Sequence, residues 1–202
     1  MLFRRTFLLA CIFGVTNPFG TAIANEGPVR IGVSGPFTGG SSPMGESMRN
    51  GVRLAVDKLN AIGGINGRKI ELVERDDEAK DEVGARVAQD LVVQKVVATI
   101  GIVNTGVGLA SIDAYQKARI PLMIAVSTGT VLTKKFAPPA ASENYICRVA
   151  PTLDLEAKKI VADLKQRNMM NVAILADATA YGEAGLKLSV SMLPLQESPS
   201  PP

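Results

Sequence analysis

The chain has 202 residues, 47% of them hydrophobic but only 4% aromatic, with no tryptophan and no histidine. The missing histidines remove the usual general base and the usual zinc ligand together. The net charge is +3, and setting aside Arg4 and Arg5 from the 22 basic residues against 19 acidic ones leaves +1, with no basic stripe to suggest a nucleic-acid partner.

Residues 1–24 have the pattern of an export signal. Arg4 and Arg5 open it, Phe7 to Val15 form the apolar run, and Ala22-Ile23-Ala24 is a small-residue cleavage site before Asn25. The expected product is periplasmic, cut after Ala24. Arg-Arg-Thr-Phe-Leu at 4–8 loosely fits a twin-arginine signal, but an ordinary secretory start accounts for it as well. Cys11 leaves with the signal, so Cys147 stands alone in an apolar run and is expected to be buried and inert.

From Val29 a strand-and-helix alternation begins. Val29–Val33 reads as a strand, and Gly39-Gly40-Ser41-Ser42-Pro43 as a flexible loop. Val52, Ala55, Val56 and Leu59 recur at helical spacing, predicting a helix over 45–62 that Gly63-Gly64 stops. Strands are predicted at 69–74, 96–102, 121–126, 145–149 and 171–175, with helices at 81–94, 108–117 and along the stripe Leu153, Ala157, Ile160, Val161, Leu164. Tyr181-Gly182 should open a last helix that is not completed, because residues 189–202 read as an irregular Ser/Pro tail. Repeated alternation predicts an α/β fold with an open parallel sheet, helices on both faces and right-handed crossovers.

Two places beyond strand ends can hold a ligand. Thr105 follows the third strand; Ser127, Thr128 and Thr130 follow the fourth. Neighbouring strand ends of an open parallel sheet face one crevice, and hydroxyls beside helix-start N–H groups suit a carboxylate. The same threonines also suit helix caps or turns, and pattern alone leaves both readings standing. Enzyme readings lack support: there is no G-x-S-x-G elbow, no P-loop and no dinucleotide fingerprint, and no cofactor is expected. Asp76, Asp77, Glu78 and Asp81 do not have EF-hand spacing and read as a solvated strand end.

Five pieces in order carry a family resemblance: Gly35-Pro36-Phe37-Thr38-Gly39; Met44-Gly45 with Gly51; Leu59-Asn60-Ala61-Ile62-Gly63-Gly64-Ile65-Asn66-Gly67-Arg68; Asp76-Asp77; and Asp177 with Tyr181-Gly182. In these the chain resembles the periplasmic substrate-binding proteins of branched-chain amino acid ABC transporters, the two-lobed type I group. The resemblance implies a first lobe over 25–144 and a hinge crossing with the opening unit of a second lobe over 145–188. Most members are about twice this length, so the second lobe is expected to be only begun. It implies an amino acid or small carboxylate as ligand and an inner-membrane ABC permease as partner.

By position, the resemblance places Thr105 at the ligand's α-carboxylate, Thr128 as second donor and the Val126 carbonyl as acceptor for the α-ammonium. Ser127 stands between them. Tyr181 falls where an aromatic closes over the ligand, and Met44 where amino-acid binders often carry an aromatic. Ala79 and Asn104 stand where some members have a disulfide. Two alternatives accompany this reading: a ligand-sensing module of the same fold, and a shortened product without function.

Overall fold

The computed structural model describes residues 27–169 and 171–193. The expected signal at 1–24 and the tail from 194 lie outside them. The elements in chain order are β1 (Val29–Gly35), α1 (Ser42–Ala61), β2 (Ile70–Asp76), α2 (Asp81–Val93), β3 (Ala98–Gly101), α3 (Thr105–Ala118), β4 (Leu122–Ile124), α4 (Thr130–Lys134), β5 (Ile146–Arg148), α5 (Leu153–Gln166) and α6 (Ala180–Met192). The five strands form one sheet in the order β2-β1-β3-β4-β5, every pair parallel. The strand order reverses between β1 and β3, and a crevice opens there at the carboxyl ends.

The main core fills the side of the sheet covered by α2 and α3, with Val87, Leu91, Ile112, Tyr115, Leu122, Ile124 and Ile146 among its buried residues. On the other side α1 lays Val52 and Val56 against Val29, Ile31, Ile70 and Leu72 of β1 and β2. β2 feeds both cores, Val73 entering the first and Ile70 and Leu72 the second, because successive side chains point to opposite faces, whereas β4 and β5 feed only the first. The Asn-x-x-Gly-Gly run joins α1 to β2. Asn60 donates from Nδ2 to the Ile70 carbonyl at 2.9 Å, and its Oδ1 accepts from the Ile70 N–H at 2.7 Å. Gly64 has φ +80°, and a Cβ there would lie 1.9 Å from the Arg68 carbonyl oxygen, so glycine is required.

Several expectations need correction. Residues 171–175 form no strand: a strand needs a partner for its N–H and C=O groups, and none lies alongside among the described residues. Leu175 is fully exposed there. The last helix is not cut short at 188 but runs to Met192, because Ser189-Val190-Ser191-Met192 holds no breaker and the stop comes from Pro194. Cys147 is exposed, not buried. Ile146 turns into the α2–α3 core, so Cys147 faces the opposite side, where α1 covers only β1 and β2. The turn after β4 continues into the short helix α4, which no long apolar pattern announces. Among the described residues no helix is long and apolar enough to cross a membrane.

Candidate functional site

A cleft of about 660 Å³ opens at the carboxyl ends of the strands. The loop after β1 brings Ser41, and α1 brings Met44; the loop after β3 brings Asn104, with Thr105 and Gly106 opening α3. The loop after β4 brings Val126, Ser127 and Thr128. Asp177, before α6, and Tyr181, in its first turn, line the far side. Met44, Thr105, Val126, Ser127, Thr128 and Tyr181 therefore line one cavity, whereas Thr130, also singled out from sequence, does not and instead donates its hydroxyl to Asp154. Ala79 and Asp81, at the start of α2, complete its rim.

Neither threonine is a helix cap. Thr105 is the first residue of α3, whose cap position is Asn104, and the Asn104 side chain makes no capping bond. The first N–H groups of an α-helix have no partner within it, and the helix dipole makes that end attractive to an anion. The Thr105 and Ser127 hydroxyls lie 2.9 Å apart and both residues are buried. The Thr128 hydroxyl is shielded from solvent yet has no hydrogen-bond partner, and the same is true of the Asn104 side-chain oxygen. Buried polar atoms without partners are rare and costly, and here two sit beside one cleft.

The charges in the lining are of one sign. Asp81 and Asp177 are present, and no Lys or Arg is among the lining residues. Asp81 lies against the opening of α3, close enough that a Cβ on Gly106 would come within 2.5 Å of its Oδ1. Asp177 accepts from the Thr179 hydroxyl at 2.6 Å and from its N–H at 3.1 Å. These bonds hold its carboxyl below the usual carboxylate range, so it is ionised at neutral pH. Tyr181 and Met44 are about half exposed, at 47% and 51%, and offer apolar surface across the opening.

The acidic pair ahead of the rim is not the solvated strand end that its charge suggests. Asp76 is desolvated, but the Thr38 hydroxyl at 2.6 Å and the N–H groups of Glu78 and Phe37 outweigh that and lower its pKa. Asp77 is fully buried, accepting from the Ala79 N–H at 3.0 Å and the Ser34 hydroxyl at 3.3 Å. Burial pushes its carboxyl up from 3.8 to about 6, against the lowering effect of those two bonds. The folded state thus holds this proton more tightly than the unfolded chain does. Stability from this group is present at low pH and is lost as pH rises from about 4 to about 6. Asp77→Asn should abolish that slope and gain roughly 3 kcal/mol over the wild type at pH 7 relative to pH 4. Urea unfolding at the two pH values measures it; equal differences at both would contradict it.

A second recess, of about 810 Å³, runs along α1 beside Ile31, Val52, Leu59, Ile100 and Ala125. Its lining is almost wholly apolar, without the convergent donors and carboxylates of the cleft. It is the part of the sheet that α1 leaves open. Sequence reasoning missed Asp81, Asn104 and Ser41 as cleft residues. The available signal was position: each stands in a connection that leaves or faces a strand's carboxyl end.

Comparison with known proteins identifies the family and the fold. The family model described as "Periplasmic binding protein" matches residues 28–194. A Leu/Ile/Val-binding protein homolog of Brucella abortus is 31% identical over 180 residues, covering 89% of this chain and 46% of that protein. An isoleucine complex of the branched-chain amino acid transporter substrate-binding protein of Streptococcus pneumoniae superimposes with a TM-score of 0.74 at 28% identity, covering 83% of this chain and 47% of the other. A Rhodopseudomonas palustris ABC-transporter solute-binding protein in complex with 3,4-dihydroxybenzoic acid gives 0.69 at 26% identity, covering 82% and 43%. This chain spans less than half the length of each of these proteins. Fold, cleft position and sequence lead to one conclusion: the chain belongs to the periplasmic binding protein family, which includes solute-binding proteins of ABC transporters.

Proposed function

We propose that this chain is the solute-binding component of an ABC importer and takes a small amino acid into the cleft at the ends of β3 and β4. The observation that carries the reading is the pairing of opposite features in one cavity. Hydroxyls and uncapped N–H groups stand at the start of α3, while Asp81 and Asp177 supply negative charge with no basic side chain in the lining. A zwitterion matches both. In this reading the α-carboxylate lies on the Thr105 and Thr128 side, the Val126 carbonyl accepts from the α-ammonium, and Met44 and Tyr181 enclose the side chain. The chain is exported to the periplasm, cleaved after Ala24, hands its ligand to an inner-membrane permease, and performs no covalent chemistry.

Relatives crystallised with isoleucine and with a hydroxybenzoate define two ligand types to separate. An aromatic acid places an anion at α3 but leaves Asp81 and Asp177 without a cation. Isothermal titration of the chain with isoleucine, leucine and 4-hydroxybenzoate tests this. The expected result is binding of an amino acid and at least tenfold weaker binding of the aromatic acid. Binding of 4-hydroxybenzoate with no heat from any amino acid would overturn it.

A further inference from the structure

Arg148 ends β5 and is not among the cleft-lining residues, yet its guanidinium reaches the back of the loop that carries Ser127 and Thr128. Nη1 donates to the carbonyls of Ser127 and Pro151, each at 3.2 Å; Nη2 donates to the Gly129 carbonyl at 2.6 Å; Nε donates to the Thr133 hydroxyl at 3.2 Å. The carbonyl between them, that of Thr128, accepts from the Leu153 N–H at 2.8 Å. The Thr130 hydroxyl donates to Asp154 at 2.9 Å. Three successive carbonyls of the cleft loop are therefore held by the segment 148–154, the chain that leads from the sheet into α5.

A planar trans peptide points its N–H opposite to its C=O. Holding the Ser127 and Thr128 carbonyls from behind turns the N–H groups of Thr128 and Gly129 the other way. The Gly129 N–H meets the Ser127 hydroxyl at 3.4 Å, and the Thr128 N–H has no acceptor among the described residues. Only a planar fork of donors spans these carbonyls together; a lysine ammonium is a single point. Resting on the reading of the cleft as an amino-acid site, we propose that Arg148 is the positioning residue of its carboxylate end, fixing the β4–α4 loop with its free N–H toward the ligand.

The test compares the wild-type chain with Arg148→Met and Arg148→Lys by amide hydrogen exchange and by titration with isoleucine. In Arg148→Met the amides of 127–133 should exchange at least tenfold faster, with β1 and β3 keeping their protection, and affinity should fall tenfold or more. Arg148→Lys should melt near the wild type but recover only part of the loop protection and of the affinity. Unchanged exchange at 127–133 in Arg148→Met overturns the proposal, as does faster exchange with unchanged affinity. If Arg148→Met does not fold, Arg148→Lys decides: exchange and affinity equal to the wild type overturn the proposal. If the wild type binds no amino acid, the ligand reading fails, and the clamp then stands or falls on the exchange of 127–133 alone.

Discussion

Leu91→Ala is expected to lower the unfolding free energy by about 2–5 kcal/mol, the largest stability effect of the changes considered. Leu91 is fully buried on α2, where Val87 and Ala88 share its face. Its two terminal methyls rest on the bare backbone of Gly32 in the interior strand β1, 3.1 and 3.2 Å from where a Cβ would stand. Truncation removes those methyls from an interface that a strand and a helix both hold fixed, so little collapse can refill the space. The Gly32 contact supplies an internal check. Gly32→Ala alone inserts a methyl against Leu91 and the Thr99 hydroxyl. In the Leu91→Ala background half of that conflict is gone, so the two changes together should cost less than their sum, by roughly 0.5–3 kcal/mol. Denaturant unfolding of the four chains measures the difference; strict additivity would show that Leu91 does not pack on Gly32.

Thr105→Val should weaken amino-acid binding roughly 10- to 100-fold while changing stability by only about 1 kcal/mol. The substitution keeps the side-chain shape and removes one hydroxyl at the first residue of α3. A hydrogen bond to a charged ligand contributes about 1.5–3 kcal/mol, whereas the internal bond to the Ser127 hydroxyl contributes the smaller amount of a neutral pair. Space is tight, since a Cβ on Gly129 would come within 2.5 Å of the Thr105 methyl, so a bulkier replacement would confuse packing with chemistry. Thr105→Ser retains the hydroxyl and should bind within a few-fold of the wild type. Titration of the three chains with isoleucine, beside their thermal melts, separates the effects. Equal affinity for Thr105→Val and wild type would remove Thr105 from the site.

What the sequence disclosed follows from the range of the interactions involved. The helical spacing of Val52, Val56 and Leu59 and the β-rich run of Val29–Val33 act within one element, and both elements appear where expected. Thr105 and Thr128 were legible as cleft residues because parallel strand order brings neighbouring strand ends together. Their roles as caps or ligand donors were not legible, since that depends on Asn104 and Gly129 occupying the two cap positions. Arg148 was invisible because the cleft-loop groups it holds, the Ser127 and Gly129 carbonyls about 20 residues earlier, are backbone and carry no residue-type signal. The run 171–175 has strand composition but no neighbour to pair with, and Asp77 has surface composition but sits under the rim. In both cases tertiary context overrode the local pattern.

In the proposed site the ends of β3 and β4 hold the ligand's carboxylate. The most direct test of this placement is residue-resolved: the amide chemical shifts of the ¹⁵N-labelled chain followed during titration with isoleucine. The largest changes are expected at Thr105, Gly106, Thr128 and Gly129, with Tyr181 following. Saturable shifts confined to the recess along α1, at Val52, Leu59 and Ile100, with the four cleft amides unmoved, would contradict it.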